Sequence, residues 1–361
     1  MISRVRQGMV SRRLLLLAGL ALAGLAGLPA GHSRVTAQEA SNAGDLWVHY
    51  PGGSGPGQGK HIVLISGDEE YRSEEALPML AKILAVRHGF DCTVLFSINP
   101  QDGSIDPENQ TNIPGLQKLD SADLMVIATR FRDIPDDEMK HIDQFVHSGK
   151  PIIGLRTATH AFNVKRNPDS KYAEYDFSSS KWPGGFGQQV LGDTWISHHG
   201  NHKFESTRGV INDKWKDHPI LRGVHDVWGP TDVYGIANLG SDADVLLLGQ
   251  VLTGMKPTDP PVAGPKNDPM MPLFWTRSFT GREGKTSRVV CTTMGAAVDF
   301  ECEDLRRAFV NSVFWGLGLE GQMPERANVE YVGEFKPTFY GFGAQQKGIK
   351  PASHRLEAAG K

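Results

Sequence analysis

Four short segments of this 361-residue chain gather side chains able to do chemistry. They are Asp68-Glu69-Glu70-Tyr71-Arg72, Arg130-Phe131-Arg132-Asp133, Arg156-Thr157-Ala158-Thr159-His160, and His198-His199-Gly200-Asn201-His202 with Glu205 close behind. A histidine beside a carboxylate is an acid–base pair that works near neutral pH without large tuning. Arginine offers a planar fork of donors suited to carboxylates, phosphates and sugar hydroxyls. A plainer reading is that the charges pair with one another, and that Glu69 and Glu70 sit before a helix N-terminus, where carboxylates are stabilised anyway. Imidazoles three or four residues apart also suit one divalent metal. This stretch reads as a loop, so the helical spacing rule does not apply directly. His199 and His202 are the imidazoles singled out for function, and no cofactor is required.

Other chemistries are excluded. A nucleophilic cysteine is absent from the turn at Gly154-Leu155-Arg156, because a guanidinium stands there. Cys92 and Cys291 fall in apolar strand patterns, a poor setting for a reactive thiol. The glycines of Trp182-Pro183-Gly184-Gly185-Phe186-Gly187 follow no strand and lack the Lys and Ser/Thr of a phosphate loop. Trp182, Trp228 and Trp275 are sugar-stacking candidates, with core packing at least as good an account of each.

The elements that must position these residues are legible as strand–helix alternation. His61 to Gly67 is a short apolar run ending in glycine, as buried parallel strands are. Ser73 to His88 has helical spacing, with Gly89 as its stop. Further strands are expected at 91–97, 122–129 and 151–155, with a helix at 136–147. Strand signals return at 243–251, 273–278 and 287–293, and 304–317 is the last helix. This alternation predicts a parallel sheet covered by helices. Ligands bind beyond the carboxyl ends of such strands. The first three charged segments each follow a strand there, so together they favour a ligand site over mere pairing.

The N-terminus has the three parts of an export signal over residues 1–37: Arg4, Arg6, Arg12 and Arg13, an apolar run from Leu14 to Leu28, and Val35-Thr36-Ala37 before Gln38. The run is too short to span a bilayer, which needs about 20 residues. Arg12-Arg13 directly before it favours the twin-arginine route slightly over general secretion. The mature protein is therefore expected in the periplasm or secreted, with no membrane partner after cleavage. Cleavage removes five arginines and leaves 33 basic against 41 acidic residues, a formal charge of −8. That argues against nucleic acid and anionic lipid. Three cysteines, Cys92, Cys291 and Cys302, exclude a disulfide framework. Residues 38–60, with Pro51-Gly52-Gly53-Ser54-Gly55-Pro56-Gly57, read as a flexible linker, 61–320 as the folded domain, and 321–361 as an extended tail. Oligomeric state is not encoded in any pattern found.

The chain resembles the ThuA-like family, named for trehalose utilisation. The resemblance rests on Gly154-Leu155-Arg156-Thr157-Ala158-Thr159-His160, His218-Pro219-Ile220 with Gly223, Asp232-Val233-Tyr234, Pro272-Leu273-Phe274-Trp275, Gly284-Lys285, Arg288-Val289 and Thr292-Thr293-Met294-Gly295, and covers roughly residues 60–320. It implies a flavodoxin-like α/β fold of the class I glutamine amidotransferase type, with a mainly parallel sheet and helices on both faces. It also implies carbohydrate metabolism, with a keto-sugar or glycoside as the small-molecule ligand. Glutaminase chemistry is excluded by Arg156. Many family members carry histidines where this chain has Arg156 and Ala296, which weakens a metal site built from them. In the enzymatic version His199 or His160 is the general acid or base, and Glu70 or Asp232 acts with it. Glu69, Tyr71, Arg130, Arg132, Arg156, Thr157, His202 and Tyr234 contact substrate. Hydrolysis, elimination and isomerisation all remain open. The alternatives are a non-catalytic sugar-binding or assembly module and a metal-dependent hydrolase.

Overall fold

The structure, a computed structural model, describes residues 46–356. The export-signal reading of residues 1–37 and the first part of the linker lie outside the described residues. Among the described residues, no helix is long and apolar enough to cross a membrane.

A ten-stranded sheet runs through the molecule in the order β1-β3-β2-β4-β5-β10-β9-β8-β6-β7. In chain order the strands are β1 (Trp47–Tyr50), β2 (His61–Gly67), β3 (Asp91–Phe96), β4 (Leu124–Thr129), β5 (Ile152–Leu155), β6 (Thr207–Ile211), β7 (Val227–Gly229), β8 (Asp244–Val251), β9 (Met271–Thr280) and β10 (Thr286–Thr292). The helices are α1 (Ser73–His88), α2 (Asp136–Val146) and α3 (Glu303–Gly316). Strands β3-β2-β4-β5-β10 are mutually parallel, and their order is the flavodoxin-like 2-1-3-4-5.

The expectation of a mainly parallel sheet is corrected. Four pairings are parallel, whereas those of β1 with β3, β10 with β9, β9 with β8, β8 with β6 and β6 with β7 are antiparallel. The reason lies in the connections. Gly281–Lys285 joins β9 to β10 by a tight hairpin, and a hairpin cannot make a parallel pair. The linker boundaries shift too. Trp47–Tyr50 forms an edge strand with Val48 and Tyr50 buried, and the Tyr50 hydroxyl donates to the carbonyl of His354 at 2.6 Å.

Strand alternation gives each face of the sheet its own core. Ile62, Leu64, Val94, Val126 and Leu155 face α1 and α3, while Val63, Ile65, Met125, Ile127 and Ile152 face α2. Helix α1 turns Ala76, Leu77, Leu80, Ile83 and Leu84 inward, and Gly89 ends it at φ +80°. The segment after Gly321 has little regular structure, yet it packs on the domain through Met323, Ala327, Val329 and Tyr340.

The parallel strands end at three non-glycine residues in the left-handed region. Arg72 (φ 62°) follows β2, Phe131 (φ 52°) follows β4 and Arg156 (φ 41°) follows β5. Each conformation costs about 1 kcal/mol or more. Such strain concentrates where a site over-determines its backbone.

Candidate functional site

Asp232 is the hub of the polar cluster beyond these strand ends. Its loop is fixed from behind by buried Asp299. The Asp299 carboxylate accepts Thr231 N at 3.2 Å, Thr231 Oγ1 at 2.8 Å, Gly295 N at 2.9 Å and Ala296 N at 3.0 Å. The 232–235 segment then pairs with 197–200. His199 N and Gly200 N both donate to the Val233 carbonyl, and Gly235 N donates to Ser197 O. His198 and Tyr234 stand opposite each other in this antiparallel bridge. Gly200 permits the approach, since a Cβ there would lie 3.1 Å from the Asp232 Cβ.

The bridge decides which histidine reaches the cluster. His198 faces Asp232, with Nδ1 2.6 Å from Oδ2. His199, the next residue, points the other way, and its Nε2 lies 2.8 Å from the carbonyl of Lys266. The structure therefore does not bring His199 to the polar cluster around Asp232, where His198 stands instead. The signal was available in sequence. In a locally extended segment Asp232 and Tyr234 share a face, and adjacent histidines cannot both join it.

His202 completes the group. Its Nδ1 lies 2.9 Å from Asp232 Oδ1 and its Nε2 3.2 Å from Glu70 Oε1. Hydrogen bonds to Asp232 and then Glu70 hold its pKa up to about 9, against burial. It is an imidazolium at neutral pH with both nitrogens engaged, so it supplies charge rather than a free base. Asp232 is fully buried, which alone would raise its pKa, but hydrogen bonds from His198 and His202 and the Arg156 charge hold it well below the usual carboxylate range. Glu70 is likewise lowered, because the His202 hydrogen bond and the Arg130 charge overcome burial. The His198 side chain is 33% exposed, and its Nε2 has no partner among the described residues.

Arg156 is a buried support. Its guanidinium lies between the rings of Tyr71 and Tyr234, 4.1 and 4.2 Å from their centroids. It donates to Asp232 Oδ1 at 3.1 Å, Thr293 O at 2.6 Å and the Tyr71 hydroxyl at 3.1 Å. Burial works against its charge, but Tyr234, Tyr71 and Asp232 raise its pKa well above the ordinary value. Expected to contact substrate, Arg156 instead stands buried holding Asp232, with both Nη atoms bonded to protein and Nε without a partner among the described residues. Arg132, likewise expected to contact substrate, is fully buried on Glu69 Oε2 (2.5 Å) and the carbonyls of Arg130, Pro107 and Asn109. Thr157 is spent on Asp68 Oδ2 at 2.6 Å. Glu69 is engaged by Arg130 and Arg132. Tyr71 and Tyr234 are buried walls. Arg130 alone of these arginines keeps partial exposure, 19%, between the rings of Phe131 and Phe342.

His160 is also relocated. It sits buried in an aromatic box of Phe131, Trp195 and Tyr234, and its Nδ1 lies 3.2 Å from Thr159 Oγ1. Burial first, then the positive charges of Arg130 and Arg156, push its pKa far down. A neutral, enclosed imidazole packs the site and does not serve as its acid at neutral pH. Among the tryptophans, Trp275 is core, Trp182 packs on α2's face of the sheet, and Trp228 bonds Ser206 Oγ. Trp195, passed over in sequence, stands edge-on to His198 at 5.7 Å. Tyr340, from the C-terminal segment, lies 5.3 Å from both the Tyr71 and His202 rings. Gly341 N clips the segment to the Glu70 carbonyl at 2.7 Å.

His198, His202 and Asp232 also form the metal-ligating group among the described residues, their donor atoms lying within 4.8 Å of one another. Two imidazoles and a carboxylate suit zinc or a similar divalent ion. Tetrahedral ligands about 2.0–2.1 Å from an ion stand about 3.3 Å apart. Here the Nδ1–carboxylate separations are 2.6 and 2.9 Å, which are hydrogen-bond lengths. The donor types fit, and an ion would require both bonds to open.

No protein-family model matches the chain, and no curated protein matches it. Among solved structures it is similar to a protein described as ThuA-like from Parabacteroides merdae, with 14% identity, TM-score 0.47, and 72% of this chain and 90% of that chain covered. A second ThuA-like structure, from Bacteroides uniformis, gives 14% identity and TM-score 0.46, with 74% and 94% covered. The glutaminase domain of Trypanosoma brucei CTPS, solved with bound acivicin, gives 8% identity and TM-score 0.34, with 74% and 98% covered. ThuA-like proteins are thus among the structures this chain is similar to, and theirs is the family its sequence motifs resemble.

Proposed function

We propose that this chain is an exported ThuA-like enzyme that removes a proton next to the keto group of a sugar derivative. One observation carries the reading. His198 is held by Nδ1 on a buried carboxylate while its Nε2 opens outward beside a fixed imidazolium. That is how a buried carboxylate on one ring nitrogen orients an imidazole so that the other can act as a base. In the proposed step His198 Nε2 accepts the proton α to the carbonyl. The bonding pair moves to form the enolate, and its developing negative charge lies in the field of His202 and Arg130. Return of the proton to the former carbonyl carbon, as the hydroxyl proton of the adjacent carbon passes to the enolate oxygen, gives isomerisation. Delivery to a departing glycosidic oxygen gives elimination. The carbohydrate assignment rests on the motif resemblance, and the location outside the cytoplasm on the segment 1–37.

The test is α-proton exchange. 3-Keto-glucosides incubated with the protein in D2O should lose the α-proton signal in the NMR spectrum, with or without net turnover. His198→Gln should slow exchange by about 10²–10⁴-fold, the usual worth of a positioned base, while His199→Gln stays near wild type. Binding without exchange would overturn the enzymatic reading in favour of a sugar-binding module. The donor set of His198, His202 and Asp232 supports a second reading, a metal-dependent hydrolase. Stoichiometric zinc or manganese in protein purified without chelator would select it.

A further inference from the structure

Among the described residues six large apolar side chains stand exposed, and four of them belong to the two segments that carry the histidine cluster and its cover. Ile196 and Phe204 bracket His198 and His202 in the chain. Phe339 and Phe342 bracket Tyr340, whose ring lies 5.3 Å from the His202 ring, and Gly341, whose N donates to the Glu70 carbonyl at 2.7 Å. Lys203 bridges the two segments, with Nζ 5.9 Å from the Tyr340 ring centroid. The other two, Val86 and Leu356, are scattered single residues, which is ordinary at a protein surface. Grouped apolar exposure beside a polar cluster instead marks a binding surface. Two of the rings are held in place. Phe342 is backed by the Arg130 guanidinium, 5.0 Å from its centroid, and is still 60% exposed. Phe339 stacks on Tyr340 at 4.4 Å with 26° between the ring planes, and is 47% exposed. Between them the chain is pinned twice, by Gly341 N on Glu70 O and by Arg72 Nη2 on Gly341 O at 3.1 Å. Both rings are therefore preorganised against the same Glu70 that pairs with His202.

The chemistry of this surface selects its ligand. From Phe339 to Ala344 the one polar side-chain atom is the Tyr340 hydroxyl, and it donates to Pro230 O at 3.1 Å. A second sugar would find no side-chain partner for its hydroxyls on this segment, and covering them without partners is costly. A flat apolar group loses nothing there and gains the faces of the rings. We propose that Phe339 and Phe342 hold an aryl group attached to the keto-sugar, so that the substrate class is aryl keto-glycosides rather than keto-disaccharides. The sugar half of this proposal rests on the keto-sugar reading above, and the aryl half rests on the two rings.

Titration calorimetry on the full purified chain compares 3-keto-glucosides whose aglycone is phenyl, methyl or a second glucose. The phenyl compound should bind at least about tenfold more tightly than either of the others, since burying part of one phenyl ring is worth about that much. Phe339→Ala and Phe342→Ala should each cut the phenyl-to-methyl ratio by at least about threefold, with the circular dichroism spectrum unchanged. Val86→Ala, an exposed apolar residue of α1, should leave the ratio as it is. No saturable binding of the phenyl compound, equal binding of phenyl and methyl compounds, tighter binding of the glucosyl compound, or a ratio unmoved in both ring variants would overturn the proposal. So would self-association that the ring variants abolish in a protein with no phenyl preference, which would give the surface to a second copy of the chain. The acid–base reading fails separately. Phenyl preference without α-proton exchange keeps the role of the rings and removes the base, and exchange without phenyl preference does the reverse.

Discussion

Asp232→Asn is the sharpest test of the site's electrostatics. The substitution keeps the shape of the side chain and removes the charge that His198, His202 and Arg156 share. Raising the His202 pKa from 6.5 to about 9 corresponds to about 3 kcal/mol, at about 1.4 kcal/mol per pH unit. The side chain is 26% exposed and solvent screens part of this, which leaves about 1–2 kcal/mol. The sign follows from linkage. A folded-state pKa above the unfolded one stabilises fully below about pH 6.5, and the contribution fades as pH rises through about 9. Wild-type protein should therefore lose about 1–2 kcal/mol of this stability between those limits. Asp232→Asn should lose much less, because Glu70 alone remains to hold the imidazolium. Buried Glu74 also titrates in this window, but identically in both proteins, so their difference isolates His202. Urea unfolding at a series of pH values gives the slope, and the His202 Cε1–H resonance gives the pKa itself. Arg156 without its counter-charge is predicted to cost about 3–5 kcal/mol at every pH. If that prevents folding, Glu70→Gln provides the same test from the other nitrogen. An unchanged slope together with an unchanged His202 resonance would refute the claim that these carboxylates hold it charged.

Arg156→Lys should destabilise by about 2–4 kcal/mol in urea unfolding, because one ammonium cannot reproduce the planar contacts to Asp232, Thr293 and Tyr71 or the stacking between two rings. Wild-type stability in the lysine variant would refute Arg156 as the support of Asp232. Tyr340→Ala should raise the His202 pKa measured by NMR, because water admitted to a face now covered at 5.3 Å relieves the burial that lowers it, and cost about 2–4 kcal/mol for the lost ring. A His202 titration unmoved by this change would show that the C-terminal segment covers the site without tuning it.

What sequence could show of this fold followed from local periodicity. The strands β2, β4, β5, β8, β9 and β10 and the three α-helices of the described residues have apolar spacings that local chemistry alone enforces. Their direction was another matter. β6 and β7 are short, and β6 contains Gly209, so neither stood out from a loop-rich middle, and the antiparallel direction of the pairings from β10 to β7 went unseen. The charged strand-end segments were visible as a group, but their division of labour was not. Arg130, Arg132 and Arg156 look alike in sequence, and only burial separates a partly exposed cation from two internal supports. Tyr340 was beyond reach, because its neighbours Tyr71 and His202 are distant in sequence and no spacing rule connects them.

The order of dependence within the site gives the arginine at the turn after β5 a physical role. A histidine there would carry a titratable ring to the centre of the cluster. Arg156 instead brings a permanent cation, held in a left-handed turn and boxed by Tyr71 and Tyr234. That fixed charge keeps Asp232 ionised, and ionised Asp232 can serve two imidazoles at once. His202 takes one oxygen and becomes a cation through Glu70 as well, leaving the other oxygen to His198. The two rings lie 4.8 Å apart. The arrangement thus divides two chemically identical side chains: His202 has both ring nitrogens engaged, while His198 keeps Nε2 without a partner among the described residues.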